Sequence, residues 1–151
     1  MFGAAAAGED MGAAGLARLA ICGAALAAAA TFDLIERRVP NRVTIPAALS
    51  LLVVWAVTGA RPGRIAAGLV VAAVLLALGL IKPDAIGMGD AKLALVVALG
   101  LMDKALIALA CGLLLAAIFA ATQLSPSTPG RKTAVALGPF LALGALIALL
   151  A

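Results

Sequence analysis

The stretch IAAGLVVAAVLLALGLI, residues 65–81, carries no charged side chain and is bounded by Arg64 and Lys82. Apolar and polar residues do not alternate in it, and Ala and Leu are strong helix formers, so it is predicted to be a helix rather than a strand. Its length approaches the roughly 20 residues that a membrane-spanning helix needs.

Five further apolar segments are separated by charged, Pro and Gly residues. The predicted fold is therefore an all-α, polytopic membrane helix bundle with about six transmembrane helices. The fourth segment is short for a full span and is expected to be tilted or partly embedded. The approximate bounds are Met11–Phe32, Val43–Gly59, Ile65–Ile81, Ala91–Met102, Ala105–Leu124 and Thr133–Leu150.

The composition supports a membrane protein. The chain has 151 residues, of which 66% are hydrophobic and 12% charged, whereas soluble domains average roughly 45–50% apolar and about 25% charged. We expect one integral-membrane domain over residues 1–151, with the lipid bilayer as a partner. The basic residues lie in short loops, so membrane topology explains the net charge of +4 better than nucleic-acid binding does. The oligomeric state stays open.

Several catalytic classes are excluded by what the chain lacks. It contains no His, which excludes Ser-His-Asp and Cys-His catalysis. Cys22 and Cys111 lie far apart and form no C-x-x-C pair, so neither a zinc site nor a disulfide is expected. We expect no metal and no cofactor.

Two aspartates at the ends of apolar segments are the candidate functional groups: Asp33, after the first segment, and Asp90, before the fourth. Ionisable groups beside or within a membrane are energetically costly and are functional candidates by default. Both follow an odd-numbered segment, so both are predicted to lie on one membrane face. Seven of the 11 basic residues fall on that face, which the positive-inside rule assigns to the cytoplasm.

Structural roles are the alternative for each of these groups. Asp33 is also explained as an ordinary charge at a helix end, and Asp90 as the N-cap of the fourth helix, since carboxylates are favoured there. Asp84, after Pro83, is predicted to be a turn residue. Asn41 is predicted to cap the second helix.

The sequence around Asp90 favours chemistry over capping. Gly87 and Gly89 flank Met88 immediately before the acid, and glycines permit close approaches that side chains forbid. A scissile peptide could therefore lie against the carboxyl. Two neighbouring carboxyls resist ionising together and share a proton, so one can take a proton from water while the other donates to the amide.

Four stretches together resemble a known family. GMGD (residues 87–90) resembles the G-x-G-D signature of membrane-embedded aspartyl proteases. DLIERRVPN (33–41) is similar to the first-aspartate motif of type IV prepilin peptidases, and GDAKL (89–93) to the sequence at their second aspartate. LGPFL (137–141) resembles a Gly-Pro-Phe segment in their last helix, where we expect residues 138–140 to shape a helix bend.

The resemblance implies an aspartic endopeptidase of the bacterial plasma (inner) membrane. Such enzymes remove the leader of type IV prepilins or pseudopilins at the cytoplasmic face. Asp33 and Asp90 match the two catalytic positions, and Gly87, Gly89 and Lys92 fall in the surrounding motif. For Lys92 two roles remain open: it orients a carboxylate or a substrate group, or it anchors its helix at the lipid headgroups.

The chain departs from the bifunctional members of that family, which carry an N-terminal insertion with paired Cys-x-x-Cys motifs. The resemblance is therefore to the compact, peptidase-only members that serve tight-adherence (Flp) pili, and no N-methyltransferase activity is expected. Archaeal preflagellin peptidases share the core motif and remain an alternative. Two other classes also stay open: a small transporter that uses the aspartates as a proton or cation site, and a structural subunit of a secretion machine.

Overall fold

The computed structural model of the chain describes residues 12–36, 39–59, 61–81, 87–123 and 137–151. Within those ranges the fold is all-helical and contains no strand, as predicted. Six α-helices and one short 3₁₀ turn, Met102–Lys104, follow one another. The helices are α1 (Ala13–Glu36), α2 (Asn41–Thr58), α3 (Gly63–Ile81), α4 (Met88–Leu101), α5 (Ala105–Gln123) and α6 (Gly138–Leu150).

The predicted number of six transmembrane helices is not confirmed. Four stretches of the described residues are long and apolar enough to cross a membrane. Three of them are α1, α2 and α3, and the fourth is the 35-residue stretch Met88–Thr122, which contains both α4 and α5. The last helix, α6, is apolar but has only 13 residues, fewer than the roughly 20 that a full span requires.

Two helices include charged residues that the prediction had placed outside the apolar segments, so their ends differ from the predicted ones. Helix α1 continues to Glu36, so Asp33 lies inside its last turn rather than in a linker. Helix α4 begins at Met88, so Asp90 is its third residue and not its N-cap. Asp84, which was predicted to be a turn residue, and the basic residues Arg37 and Arg38 lie outside the described ranges.

The long apolar stretch is broken at Met102. This residue has φ 48° and ψ −112°, a left-handed conformation that costs free energy for a residue other than Gly. Two side-chain interactions lie at the break: the buried Arg18 of α1 donates to the sulfur of Met102, and Arg64 Nε pairs with Asp103 Oδ2 at 2.6 Å. We call this end of the bundle the turn end.

Small residues allow the helices to pack closely. A Cβ atom added to Gly68 of α3 would lie 2.9 Å from the Cβ of Ala105 and 3.0 Å from that of Ala98. One added to Gly100 of α4 would lie 2.5 Å from the Sγ of Cys22 in α1. Close backbone approach of this kind is how helices associate in lipid, where the hydrophobic effect between them is absent.

Helices α5 and α6 form the closest pair. A Cβ on Gly144 would collide with the carbonyl oxygen of Ala108 and would lie 2.6 Å from the nitrogen of Gly112. A Cβ on Gly112 would lie 3.0 Å from the Cα of Leu141, which is near the start of α6. The two helices are therefore antiparallel, and α5 runs back from the turn end to the end at which α6 begins.

That second end contains both candidate acids, and we call it the acid end. Helix α1 starts near Met102 at the turn end and reaches the acid end with Asp33. Helix α4 starts at the acid end with Asp90 and finishes at Met102. The prediction that both aspartates lie on one side agrees with this arrangement, and Asp103 lies at the opposite end.

Candidate active site

Asp33 lies on the buried face of α1. The buried residues of this helix recur every three or four positions, as one face of a helix requires, and Asp33 extends the series that includes Cys22 and Ala29. It is 4% exposed, whereas its neighbours Leu34 and Ile35 are 68% and 75% exposed. The carboxyl therefore points into the bundle while apolar side chains face outward.

The buried carboxyl of Asp33 has a main-chain partner. The N–H of Gly138 donates a hydrogen bond to Asp33 Oδ2 over 2.8 Å, from the first residue of α6. The first N–H groups of a helix have no partner within the helix, and the helix dipole attracts negative charge there. Asp33 thus satisfies one of the free N–H groups of α6.

Asp90 lies at the start of another helix. Its main-chain N–H donates to the carbonyl oxygen of Gly87 over 3.0 Å, and Gly87 occupies the N-cap position of α4. The Asp90 side chain folds back over this cap, because a Cβ added to Gly87 would lie 2.9 Å from Asp90 Oδ2. Asp90 is half-buried and Gly87 is exposed, so the Asp90 carboxyl has access to the surface.

Asp33 and Asp90 lie near enough to each other for the charge of one to act on the other. The two side chains come from the end of α1 and the start of α4, and the start of α6 completes the group through Gly138. In general, two carboxyls whose charges interact do not easily ionise together and can share a proton. The structure thus places two candidate groups for acid–base chemistry at the same end of the bundle.

Gly89 fills a different role from the one expected. The sequence suggested that the glycines before Asp90 leave room for a peptide. A Cβ on Gly89 would instead lie 2.8 Å from the Cβ of Val39 and 3.0 Å from its carbonyl oxygen. Val39 therefore occupies the space at Gly89, and this glycine allows Val39 to pack on α4. Gly87 alone of the two faces the Asp90 carboxyl.

Lys92 binds a residue of α2. Its Nζ donates to Asn41 Oδ1 over 2.9 Å, and the lysine is half-buried. The prediction that Asn41 caps α2 is wrong, because α2 begins at Asn41 and its N-cap is Pro40, which has no side-chain donor or acceptor. The Asn41 side chain is used between helices instead.

Two residues of the site were missed in the sequence. Val39 lies in a linker and had no signal beyond its position between the Asp33 motif and α2. Gly138 was assigned to a helix bend together with Pro139 and Phe140, but α6 begins there. A Gly-Pro pair is a recognisable helix start, because the missing N–H of Pro does no harm in the first turn. Contact with an aspartate 105 residues away leaves no local pattern.

A metal site is not formed by the described residues: no three His, Cys, Asp or Glu side chains among residues 12–36, 39–59, 61–81, 87–123 and 137–151 lie close enough to share an ion.

Comparison with protein families identifies the chain. The model of the type IV leader peptidase family matches residues 20–125, well over half of the sequence. The chain belongs to the type IV leader peptidase family. The match includes Asp33, Asp90 and Lys92 and ends before Gly138. Searches of curated proteins and of solved structures found no match.

Membership of the type IV leader peptidase family supports a peptidase whose substrates are of the prepilin type in general. Together with four apolar helices of spanning length, it indicates an integral membrane protein.

Proposed function

We propose that this protein is an aspartic endopeptidase in which Asp33 and Asp90 are the catalytic acid–base pair. It would remove the leader peptide of a type IV prepilin, Flp pilin or pseudopilin. The observation that carries the proposal is the placement of two carboxyls at one end of the bundle, near enough for their charges to interact: Asp33 is buried against the start of α6, and Asp90 is half-buried at the start of α4.

The chemistry follows from a shared proton. One carboxylate accepts a proton from the attacking water, and the other carboxylic acid donates to the carbonyl oxygen of the scissile amide. As the gem-diol intermediate collapses, the protonated carboxyl donates its proton to the leaving nitrogen and the other carboxylate takes the proton of one gem-diol hydroxyl, so that the pair is again singly protonated. Each aspartate thus accepts and donates a proton once in every catalytic cycle, and this sequence of steps needs no metal.

Supporting roles are proposed for the neighbouring residues. Gly87 leaves the Asp90 carboxyl uncovered on the side of the N-cap, since a side chain there would meet Asp90 Oδ2. Gly89 and Lys92 hold the start of α4 in place through Val39 and Asn41. These contacts position Asp90 relative to Asp33, and such positioning supplies a large part of the rate enhancement of an enzyme.

The proposed location is the bacterial inner membrane, with the acid end on the cytoplasmic side, where the excess of basic linkers points. A substrate whose apolar helix lies beside the bundle would present the junction of leader and helix at the depth of the acids. The position of both aspartates at helix ends favours hydrolysis over transport, because a transported ion needs a site near the middle of the bilayer.

The direct test is co-expression of the full chain with candidate prepilins from the same genome, followed by mass spectrometry of the substrate N-termini. We expect removal of a short leader and an otherwise unmodified new N-terminus, without N-methylation. Intact leaders on every candidate, with the enzyme present in the membrane, would contradict the proposed activity. A methylated N-terminus would contradict the peptidase-only assignment.

A further inference from the structure

We propose that the main-chain N–H of Gly138 is the group that positions Asp33 for catalysis, so that helix α6 is a component of the active site. This inference rests on the proposed function of Asp33. It adds a positioning residue from a part of the chain beyond the residues that the family model matches.

The geometry fixes one oxygen of the carboxyl. Gly138 donates to Asp33 Oδ2 over 2.8 Å, a normal distance for an N–H to a carboxylate. Rotation about the bond between Cβ and Cγ would break this hydrogen bond, so the plane of the carboxyl is held and the direction of Oδ1 is set. Asp33 itself is 4% exposed, and water therefore does not compete freely for the same oxygen.

The residue that donates has to be glycine. A Cβ on residue 138 would lie 2.9 Å from Asp33 Oδ2, 3.2 Å from its Cβ and 3.4 Å from its Cγ. The first of these is shorter than real Cβ contacts, so the carboxyl would have to move. The carboxyl is the end of a side chain and can rotate, whereas α6 is packed closely on the backbone of α5 at Gly144 and Gly112. A methyl group at position 138 therefore displaces the acid rather than the helix.

The hydrogen bond can be observed without any assay of activity. The sequence contains four Leu-Gly pairs, which end at Gly79, Gly100, Gly138 and Gly144. Labelling the full chain with carbonyl-¹³C Leu and ¹⁵N Gly in detergent micelles selects these four amides in an NMR spectrum. An amide proton bound to a carboxylate resonates far downfield. We expect Asp33→Ala to move the Gly138 signal upfield and to leave the other three in place.

The three other amides report on folding, and Asp103→Ala at the turn end is the matched control, which should leave the Gly138 signal unchanged. A Gly138 amide that does not respond to Asp33→Ala would overturn the inference. This result is independent of peptidase activity, so it is distinguishable from a failure of the proposed function, which would appear as a wild-type enzyme that cleaves no prepilin.

Kinetics test whether the bond matters for the reaction. Gly138→Ala is expected to lower kcat by about 100-fold, the effect of a misplacement of about 1 Å in a catalytic group, with little change in KM. Gly23→Ala is the control on α1, since a Cβ there meets nothing within 4 Å, and it should keep the wild-type kcat. A folded Gly138→Ala enzyme with wild-type kcat would show that Gly138 is merely structural.

Discussion

Lys92 Nζ donates a hydrogen bond to Asn41 Oδ1 over 2.9 Å, which joins the start of helix α4 to the start of helix α2. Asp90 lies two residues before the lysine on α4, and Asn41 is the last residue of the motif that begins with Asp33. This contact therefore connects the two motifs that carry the acids, at the same end of the bundle.

The Lys92–Asn41 bond is expected to stabilise the acid end by about 1 kcal/mol, the usual net contribution of a hydrogen bond. Lys92→Met and Asn41→Leu should each lower the free energy of unfolding, and the double variant should lose less than the sum of the two. Thermal or denaturant unfolding in detergent measures this. Strictly additive losses would show that the two side chains do not interact.

Gly89→Ala is expected to destabilise the protein by about 2 kcal/mol and to lower cleavage, because the new Cβ overlaps with Val39. The structure makes a finer prediction about rescue. Val39→Ala keeps the Cβ that lies 2.8 Å away and should restore little, whereas Val39→Gly removes it and should restore part of the stability.

Gly63→Ala is the matched control for this series, since a Cβ at that position meets nothing within 4 Å. Equal effects of Gly63→Ala and Gly89→Ala on unfolding would contradict the packing of the linker on α4, as would full rescue by Val39→Ala.

Gly144→Ala is expected to be among the most damaging substitutions, at about 3 kcal/mol, because it forces a methyl group into the backbone of α5. Separation of α5 from α6 would also withdraw Gly138 from Asp33. We expect aggregation or loss of the monodisperse peak in size-exclusion chromatography, together with loss of cleavage. A well-folded, active Gly144→Ala protein would contradict the close contact of the two helices.

The sequence was sufficient to predict a helical architecture and to single out Asp33 and Asp90 as candidate groups. Apolar segments can be recognised within a single window of sequence, and each of the motifs around Asp33 and Asp90 is contiguous in the chain. The helix ends were harder to predict from the sequence. Asp33 faces the core, and α1 continues beyond it to Glu36, so that this acid lies inside the helix. The number of full spans was also not settled by hydropathy, since α4 and α5 form one apolar stretch that turns back at Met102.

The rest of the site depends on contacts between distant parts of the chain. Gly89 carries the same local signal whether the space beside it holds a substrate or Val39, and only the fold distinguishes the two. The side chain of Asn41 has the chemistry of a helix cap, yet it accepts from a lysine 51 residues away. Gly138 and Asp33 are 105 residues apart, so no window of sequence could relate them.

The ion pair at the turn end should matter little. Arg64 and Asp103 are 2.6 Å apart, but the Asp103 side chain is 54% exposed, and exposed pairs contribute less than about 1 kcal/mol. We expect Asp103→Asn to keep normal expression, unfolding and cleavage. A large loss of cleavage in this variant would mean that the turn end takes part in the reaction.

The central claim is that Asp33 and Asp90 are the catalytic pair, and the most direct measurement compares their neutral isosteres in purified form. Asp33→Asn and Asp90→Asn should each lower the rate of leader cleavage by about 10³-fold or more while membrane insertion and unfolding stay close to wild type, and Asp103→Asn should cleave normally. Retention of substantial cleavage by either folded variant, Asp33→Asn or Asp90→Asn, would contradict the two-aspartate mechanism.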